Sequence, residues 1–388
     1  MKLSFNEYFL YLAFIIVVFL TSCKKENLAI TNESSNFSEV FNSFWNKMNT
    51  NYVYWDIDTT RWDEMYKKYK PIFEQLNLNN NSDIIKSVQH FQNMTKGLID
   101  GHYYINFSNT AISNLSIYPS LAKKQKLNNF HYPFSYFNID TNYLDLGYSL
   151  GYYDNNLLNT KHLTVLCGTI DNKILFFSCT EFSLLESYKS TKVNDAQVTL
   201  QYFFNKLANL PLNVKGIIID VRGNLGGDTV DLNFLVGHFI DKPLHFGYSQ
   251  SKSGNGRLDF TPWIKAFVNP EPNAKAIKIP ILVLADLNSA SLSEAVVMAI
   301  KALPNSIFVG ETTWGATGPI TENEVYNAGQ FVVANFLSVL TSSCKFKYID
   351  GKIYEGIGFP PDITVPYSSF AISNGVDLQL EKAISLIY

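Results

Sequence analysis

Three serines at one junction are the residues of this chain best placed to do chemistry. Ser289, Ser291 and Ser293 lie in the stretch 282–300, which begins as a short apolar run with strand character and ends with apolar residues at helical spacing. A hydroxyl at a strand-to-helix turn projects into open space beside the first free N–H groups of the helix. Such a junction supplies a nucleophile and part of an oxyanion site. Ser291 also begins a Ser-x-x-Glu capping box that ends at Glu294, so a purely structural helix start is the alternative.

A serine nucleophile needs a base, and histidine is the side chain that titrates near neutral pH. The chain has six histidines. His102 begins a strand-like run, and a buried structural histidine is one interpretation of it. The other five show no metal-ligand spacing and are interpreted as structural: His90, His131, His162, His238 and His245.

The part of the chain after residue 193 alternates strand-like and helix-like stretches. The strand-like runs are residues 215–220, 279–285, 306–309 and 331–337, and the helix-like stretches are residues 198–207, residues 230–240 and the one after Ser291. Continuous apolar runs of this kind are typical of strands buried on both faces. The order of the elements predicts a parallel, right-handed, layered α/β core. Asp220 and Arg222, which follow the first run, are expected to form a salt-bridged turn.

The N-terminal part shows a different pattern. From residue 37 to residue 98, apolar residues recur at three- and four-residue steps, which predicts several helices. We interpret residues 37–99 as a small helical cap domain that either covers a cleft or simply packs on the core. Residues 162–167 and 173–179 have strand character, and Asp171-Asn172 between them predicts a turn.

Composition argues against two kinds of site. The chain has 31 basic and 34 acidic residues and no basic stripe interleaved with aromatic side chains, so nucleic-acid binding has little support. Its cysteines are unevenly spaced, without a Cys-x-x-Cys pair, which argues against a zinc site. Hairpin symmetry about residues 171–172 places Cys167 opposite residues 174–176 rather than Cys179, and a bridge between the two cysteines stays open.

The first 22 residues have the pattern of a targeting segment. Lys2 precedes an almost unbroken apolar run over residues 9–20, and Leu20-Thr-Ser-Cys23 ends it. This box resembles that of bacterial lipoproteins, which implies cleavage before Cys23 and acylation of that residue. Residues 23–36 are then a tether, and we expect a lipid-anchored protein of the cell envelope, periplasmic or in the outer membrane. A membrane-spanning anchor is the alternative, although the run is short for one.

Four motifs in a fixed order resemble those of one enzyme family. They are Asp220-Val-Arg-Gly-Asn-Leu-Gly-Gly227, Ser289-Ala-Ser-Leu-Ser-Glu294, Gly310-Glu-Thr-Thr-Trp-Gly315 and Gly356-Ile-Gly-Phe-Pro-Pro-Asp362. The set resembles the serine peptidases that include the carboxyl-terminal processing proteases and the tricorn core protease. It covers the last half of the chain, and Asp100-Gly-His102 extends it upstream. The resemblance implies an α/β fold with a crotonase- and ClpP-like β/α spiral core, within a peptidase domain over residues 100–388.

Two branches of that family differ in their general base. The processing proteases use a lysine 25 residues after the serine; that position is Ala316 here, so a serine–lysine dyad is excluded at this position. The tricorn-like branch uses an upstream histidine, so the resemblance implies Ser291 as nucleophile, His102 as base and Glu355 as the group that orients His102. That branch often has a serine before its histidine. Gly101 stands there in this chain, so we expect a triad rather than a four-residue relay.

The same resemblance implies the oxyanion site. It consists of the backbone amides of Leu292 and Gly226, and Gly227 lets the backbone approach closely. No metal and no organic cofactor is implied. Ser289 and Ser293 remain alternative nucleophiles.

Together these residues predict a membrane-anchored serine endopeptidase that hydrolyses peptides or unfolded proteins through a Ser/His/Glu site. One alternative is a catalytically inactive peptide- or lipid-binding module of the same fold, since a fold does not by itself carry an activity. An acyl-CoA enzyme is a weaker alternative, because no CoA-binding element is recognisable. The sequence indicates neither the substrate preference nor the oligomeric state.

Overall fold

The computed structural model describes residues 34–154, 162–321 and 324–388. The predicted signal segment, Cys23 and most of the predicted tether lie outside the described residues. Within the described ranges, no helix combines the length and apolar character needed to cross a membrane.

Three helices begin the described chain: α1 (Phe37–Asn51), α2 (Trp62–Phe73) and α3 (Asn81–Thr95). The side chains of Asn36 and Asn80 cap α1 and α3 by accepting backbone N–H hydrogen bonds, as residues that precede a helix commonly do. The helices expected from the apolar periodicity are therefore present.

The remaining elements follow in chain order. They are β1 (Tyr104–Phe107), β2 (Ser116–Ile117), α4 (Pro119–Lys124), α5 (Phe137–Asp140), β3 (Ser149–Asp154), β4 (His162–Ile170), β5 (Ile174–Cys179), α6 (Leu184–Lys189), α7 (Asp195–Ala208), β6 (Gly216–Asp220), α8 (Asp231–Val236), a 3₁₀ turn (Gly237–Phe239), β7 (Leu244–Ser251), β8 (Ile264–Val268), β9 (Ile281–Ala285), α9 (Leu292–Lys301), β10 (Ser306–Gly310), β11 (Gln330–Val333), β12 (Leu337–Leu340), β13 (Cys344–Tyr348), β14 (Ile363–Thr364), α10 (Ser369–Ser373) and α11 (Leu378–Ser385).

A seven-stranded sheet forms the core, in the order β14-β10-β9-β6-β5-β4-β3. The strands from β14 to β5 are parallel, and β4 and β3 are antiparallel to their neighbours. Ile217 and Ile219 pack on one face with side chains of α7 and α9, whereas Ile218 packs on the other face with α11. Since both faces are covered, β6 and β9 are buried throughout. The expected α/β core after a helical N-terminal segment is confirmed.

The β4–β5 hairpin turns at Asp171 and Asn172, whose φ angles of 51° and 54° match a type I′ turn. The register pairs Cys167 with Phe177 and Cys179 with Val165. Both cysteines are free and buried.

The prediction of a single strand over residues 331–337 is wrong. The segment forms two antiparallel strands, β11 and β12, which turn near Asn335 with a φ of 52°. These strands lie outside the parallel core, in a four-stranded sheet with the order β11-β12-β1-β2. A third sheet, β13-β7-β8, is also antiparallel.

The helical segment shares its core with this four-stranded sheet. Phe37, Phe44 and Phe91 belong to one buried cluster with Phe107 and Phe336. The helices therefore pack against strands from both ends of the predicted peptidase domain. One consequence is that β1, which follows His102, is fixed against β12.

Candidate active site

Ser291 occupies the junction between β9 and α9, where the chain changes direction. Its backbone has a φ of 57° and a ψ of −121°, which places a non-glycine residue in the left-handed region. Strained backbone of this kind persists only where its surroundings determine it, and it clusters at functional sites. Ser291 is half-buried, so its side chain reaches the surface of the fold.

The other two serines of the cluster have structural roles. Ser289 donates its hydroxyl hydrogen bond to the carbonyl of Val221 at 2.8 Å, and Ser293 donates to the carbonyl of Asn224 at 2.7 Å. Both serines are fully buried. Of the three serines, only Ser291 is therefore placed to meet a substrate.

Gly226 packs directly against the serine turn. A Cβ on Gly226, whose φ is 106°, would lie 2.7 Å from the Cβ of Ser291 and 2.9 Å from the nitrogen of Leu292. Gly227 approaches a carbonyl as closely, because a Cβ there would lie 2.1 Å from the oxygen of Phe182. Only glycine allows this approach at either position.

Asn224 holds the glycine turn and the serine turn together. Its side-chain oxygen accepts the Gly226 N–H at 2.8 Å, and its carbonyl accepts the Ala290 N–H at 3.1 Å. The Gly226 amide, expected as an oxyanion donor, is thus engaged within the protein. The amides of Gly227 and Leu292 donate to no other residue of the described chain, so the geometry favours this pair as donors.

Glu294 joins the serine turn to the loop after β10. Its carboxylate accepts the N–H of Ser291 at 3.2 Å, as in a capping box, and those of Gly315 and Ala316 at 2.7 and 2.6 Å. The hydroxyl of Thr313 donates to it at 2.6 Å. Burial raises the pKa of Glu294, and these hydrogen bonds oppose that rise. Glu294 is therefore a structural acceptor, as expected.

His102 follows Gly101, which packs against the same loop. A Cβ on the preceding Gly101 would lie 2.6 Å from the Cα of Ala316, the residue at the family's lysine position. Burial lowers the pKa of His102, and the Asp100 carboxylate opposes that shift. The His102 Nε2 atom is buried and has no hydrogen-bond partner among the described residues, so no hydrogen bond joins it to Ser291. Hydrogen bonds between catalytic groups often form only in the substrate complex.

Glu355 lies beside His102 but bonds to the backbone around it. One oxygen accepts the Gly101 N–H at 2.6 Å; the other accepts the N–H groups of Thr317 and Gly318, both at 2.8 Å, and the Thr317 hydroxyl at 2.9 Å. Burial, followed by the charge of Asp100, raises the pKa of Glu355 to about 8. The structure therefore holds Glu355 next to His102 without the direct hydrogen bond that a triad requires.

Asp100, His102 and Glu355 offer ligand atoms within 4.8 Å of one another, a spacing that suits a metal ion. The carboxylate oxygens, however, already accept backbone and hydroxyl hydrogens. Oxygens of Asp100 bind the His102 N–H at 2.9 Å and the hydroxyl of Ser342 at 2.9 Å. These groups fit a hydrogen-bond network better than a metal site.

Asp100 and Ser342 are the site residues to which sequence reasoning gave no role. Asp100 was visible in the Asp-Gly-His motif. Ser342 carries no local signal, because its position depends on the pairing of β1 with β12.

Asp220 and Arg222 form the expected salt-bridged turn behind the site. The fully buried Arg222 guanidinium contacts Asp220 at 2.5 Å and Asp377 at 2.8 Å, and it lies 3.7 Å from the ring centre of Tyr136. This buried network fixes the strand end from which the glycine turn begins.

Comparison with known proteins gives one family. Residues 180–365 match the sequence profile of peptidase family S41. Ser291, the two glycines of the turn, Leu292 and Glu355 lie inside this range, whereas His102 lies before it.

Two curated relatives have related sequences. The nisin-resistance protein of Lactococcus lactis subsp. lactis is 25% identical over 177 residues, which is 44% of this chain and 52% of that protein. The carboxy-terminal processing protease CtpA of Bacillus subtilis is 27% identical over 157 residues, 40% of this chain and 30% of that protein. The chain thus spans about half or less of the length of these relatives. The family match and the processing protease CtpA confirm the resemblance drawn from the motifs.

A solved structure covers most of the fold. The crystal structure of a candidate peptidase from Parabacteroides merdae superposes with a TM-score of 0.69 over 91% of this chain and 97% of that one, at 22% identity. At this identity the likeness shows the fold alone.

Proposed function

We propose that the protein is a serine peptidase that hydrolyses peptide bonds at Ser291, because residues 180–365 match peptidase family S41. The observation that carries the proposal is the left-handed backbone of Ser291 at a strand-to-helix junction, with Gly226 packed against it. Of the three serines, only Ser291 has an accessible hydroxyl, and the amides of Gly227 and Leu292 have no acceptor among the described residues.

In the proposed reaction, the Ser291 oxygen attacks the substrate carbonyl carbon while its proton passes to Nε2 of His102. The amides of Leu292 and Gly227 donate to the oxygen that becomes negative. The protonated imidazole then gives its proton to the leaving amine, and the acyl group stays on Ser291 as an ester. Water, deprotonated by the same Nε2, hydrolyses the ester and restores the serine.

Glu355 supports the base through the backbone. It accepts the N–H of Gly101, the residue before His102, and two N–H groups of the loop that contacts Gly101. The role predicted for Glu355, the orientation of His102, is thus proposed to act by fixing the segment that carries the imidazole.

A fluorophosphonate probe tests the proposal on the purified protein. We expect the wild-type protein to be labelled, Ser291→Ala to be unlabelled, and His102→Ala to react about a hundredfold or more slowly. Ser293→Ala is the matched control and keeps its labelling, because that hydroxyl only bonds to a buried carbonyl. Folded wild-type protein that does not react would favour a binding module of the same fold.

We also propose that the protein is anchored in the cell envelope by acylated Cys23, as an endopeptidase acting on peptides or unfolded proteins. The lipoprotein box at residues 20–23 supports this. The test compares the full chain with its Cys23→Ala variant in a bacterial host. Lipid labelling and membrane recovery should both be lost in the variant, and an unlabelled wild-type protein would refute the anchor.

A further inference from the structure

His102 lies opposite Ser342, just beyond the paired ends of β1 and β12. In the register of β1 and β12, Tyr104 is opposite Leu340. Continuing the antiparallel register by two residues places His102 opposite Ser342. Accordingly, Nδ1 of His102 lies 3.5 Å from the Ser342 oxygen, at the outer limit of a hydrogen bond.

Asp100 fixes the direction of the Ser342 hydroxyl. Ser342 donates that hydroxyl to one Asp100 oxygen at 2.9 Å and its backbone N–H to the other at 2.8 Å. The His102 N–H and the Thr341 hydroxyl also donate to Asp100, at 2.9 and 2.6 Å. Four donors converge on this carboxylate, so it accepts the hydrogen bond from the Ser342 hydroxyl.

A hydroxyl has one proton and two lone pairs. Because the Ser342 proton points to Asp100, the oxygen offers a lone pair to His102. An Nδ1–H would match this lone pair, and Nε2 would then keep its own lone pair. The Nε2 atom is the ring nitrogen without a partner among the described residues.

We propose that Ser342, held by Asp100, is the positioning residue that fixes the tautomer and orientation of His102. The catalytic importance of this tautomer rests on the proposed peptidase function, because only the Nδ1–H tautomer leaves Nε2 able to accept the proton of Ser291. The proposed tautomer is argued from the hydrogen bonds of Asp100 and Ser342 and does not depend on the peptidase activity.

Glu355 does not compete for this role. Its oxygens already accept hydrogens from Gly101, Thr317 and Gly318. The acceptor for Nδ1 therefore comes from the β12 side of the site.

The test measures the His102 tautomer directly, by NMR of protein with isotope-labelled histidine nitrogens. The signals of His102 are identified by their loss in His102→Gln. In the wild-type protein we expect a protonated Nδ1 and an unprotonated Nε2. In Ser342→Ala we expect a mixture of tautomers. A wild-type imidazole protonated on Nε2 would overturn the proposal without any variant.

Ser343→Ala is the matched control. Ser343 is as buried as Ser342. Its hydroxyl accepts the Thr321 N–H at 2.9 Å and donates to the Thr321 carbonyl at 3.1 Å. We expect this variant to keep the wild-type tautomer, although it loses hydrogen bonds of a similar kind. Equal tautomer changes in both variants would show a general structural effect and would refute the specific role of Ser342.

Fluorophosphonate labelling gives the second readout. The loss of one hydrogen bond to the imidazolium should slow labelling about ten- to a hundredfold in Ser342→Ala. The labelling rate of Ser343→Ala should stay within about twofold of the wild-type rate, because the Ser343 hydroxyl bonds to Thr321 and not to Asp100 or His102. A wild-type protein without labelling defeats the peptidase proposal and leaves the tautomer test intact. An unchanged tautomer in Ser342→Ala defeats the positioning proposal even if the enzyme is active.

Discussion

Gly226→Ala is the substitution that tests most sharply how the serine turn is held. An ordinary contact begins at 3.4 Å, and the new Cβ would lie 2.7 Å from the Ser291 Cβ, so the turn must retreat by about 0.7 Å. A displacement near 1 Å at a reacting group can cost about a hundredfold in rate. The left-handed backbone adds about 1–2 kcal/mol of destabilisation for a residue with a Cβ, and overpacking adds about 1–3 kcal/mol.

Gly147→Ala separates the two effects. Gly147 has a φ of 91°, but nothing lies within 4 Å of an added Cβ. This control should lose only the backbone part, about 1–2 kcal/mol, and should keep its labelling rate within about twofold.

The assay combines denaturant unfolding with the rate of fluorophosphonate labelling for the wild type and the two variants. We expect Gly226→Ala to lose about 2–5 kcal/mol and to be labelled about a hundredfold more slowly. A folded Gly226→Ala protein with the wild-type labelling rate would refute the reasoning, because the serine would then not depend on this contact.

Three further substitutions, one of them with a control variant, test the supporting network. Glu294→Ala leaves four donors without their acceptor, and unfolding experiments should show a loss of about 3–5 kcal/mol; a loss under about 1 kcal/mol would contradict the role of Glu294 as the link between the loops. Arg222→Met leaves buried carboxylates without a cation and should cost about 3–5 kcal/mol. Its control is Arg257→Met, which breaks the partly exposed ion pair of Arg257 with Asp63 and should cost under about 1 kcal/mol; equal losses would contradict this account of the buried network. The pKa of Glu355 is raised to about 8, so the folded state binds the proton more tightly than the unfolded state. The protonated Glu355 stabilises the folded state fully at a pH below about 4.5, and this contribution is lost as the pH rises through about 8. The stability of Glu355→Gln relative to the wild type should therefore rise with pH between about 4.5 and 8, by at most about 1.4 kcal/mol per pH unit; a difference that does not vary with pH would contradict the raised pKa.

Local patterns in the sequence were sufficient for the parallel core. The apolar runs of β6 and β9 and the helical spacing after Ser291 are patterns among residues close together in the sequence. Such patterns predict strands and helices without any knowledge of long-range contacts. The salt-bridged turn of Asp220 and Arg222 followed from two charges at the end of a buried strand.

Long-range pairing was beyond local patterns. Residues 331–337 contain enough apolar residues for one strand, but the left-handed turn at Asn335 splits them into a hairpin. The position of Ser342 beside His102 depends on the register of two strands more than two hundred residues apart.

The oxyanion donors show a third limit. The family resemblance implies Gly226 as a donor, yet the side-chain oxygen of Asn224 in the same motif accepts its N–H. Which amide is free depends on the direction in which each N–H of a tight turn points. The residue types alone do not determine that direction.

A crystal structure of the protein with a phosphonate bound to Ser291 would test the central claim most directly. The account predicts His102 Nε2 within about 2.6–3.2 Å of the Ser291 oxygen, and the phosphonyl oxygen within hydrogen-bond distance of the Leu292 and Gly227 amides. An imidazole that stays out of reach of the bound serine would contradict it.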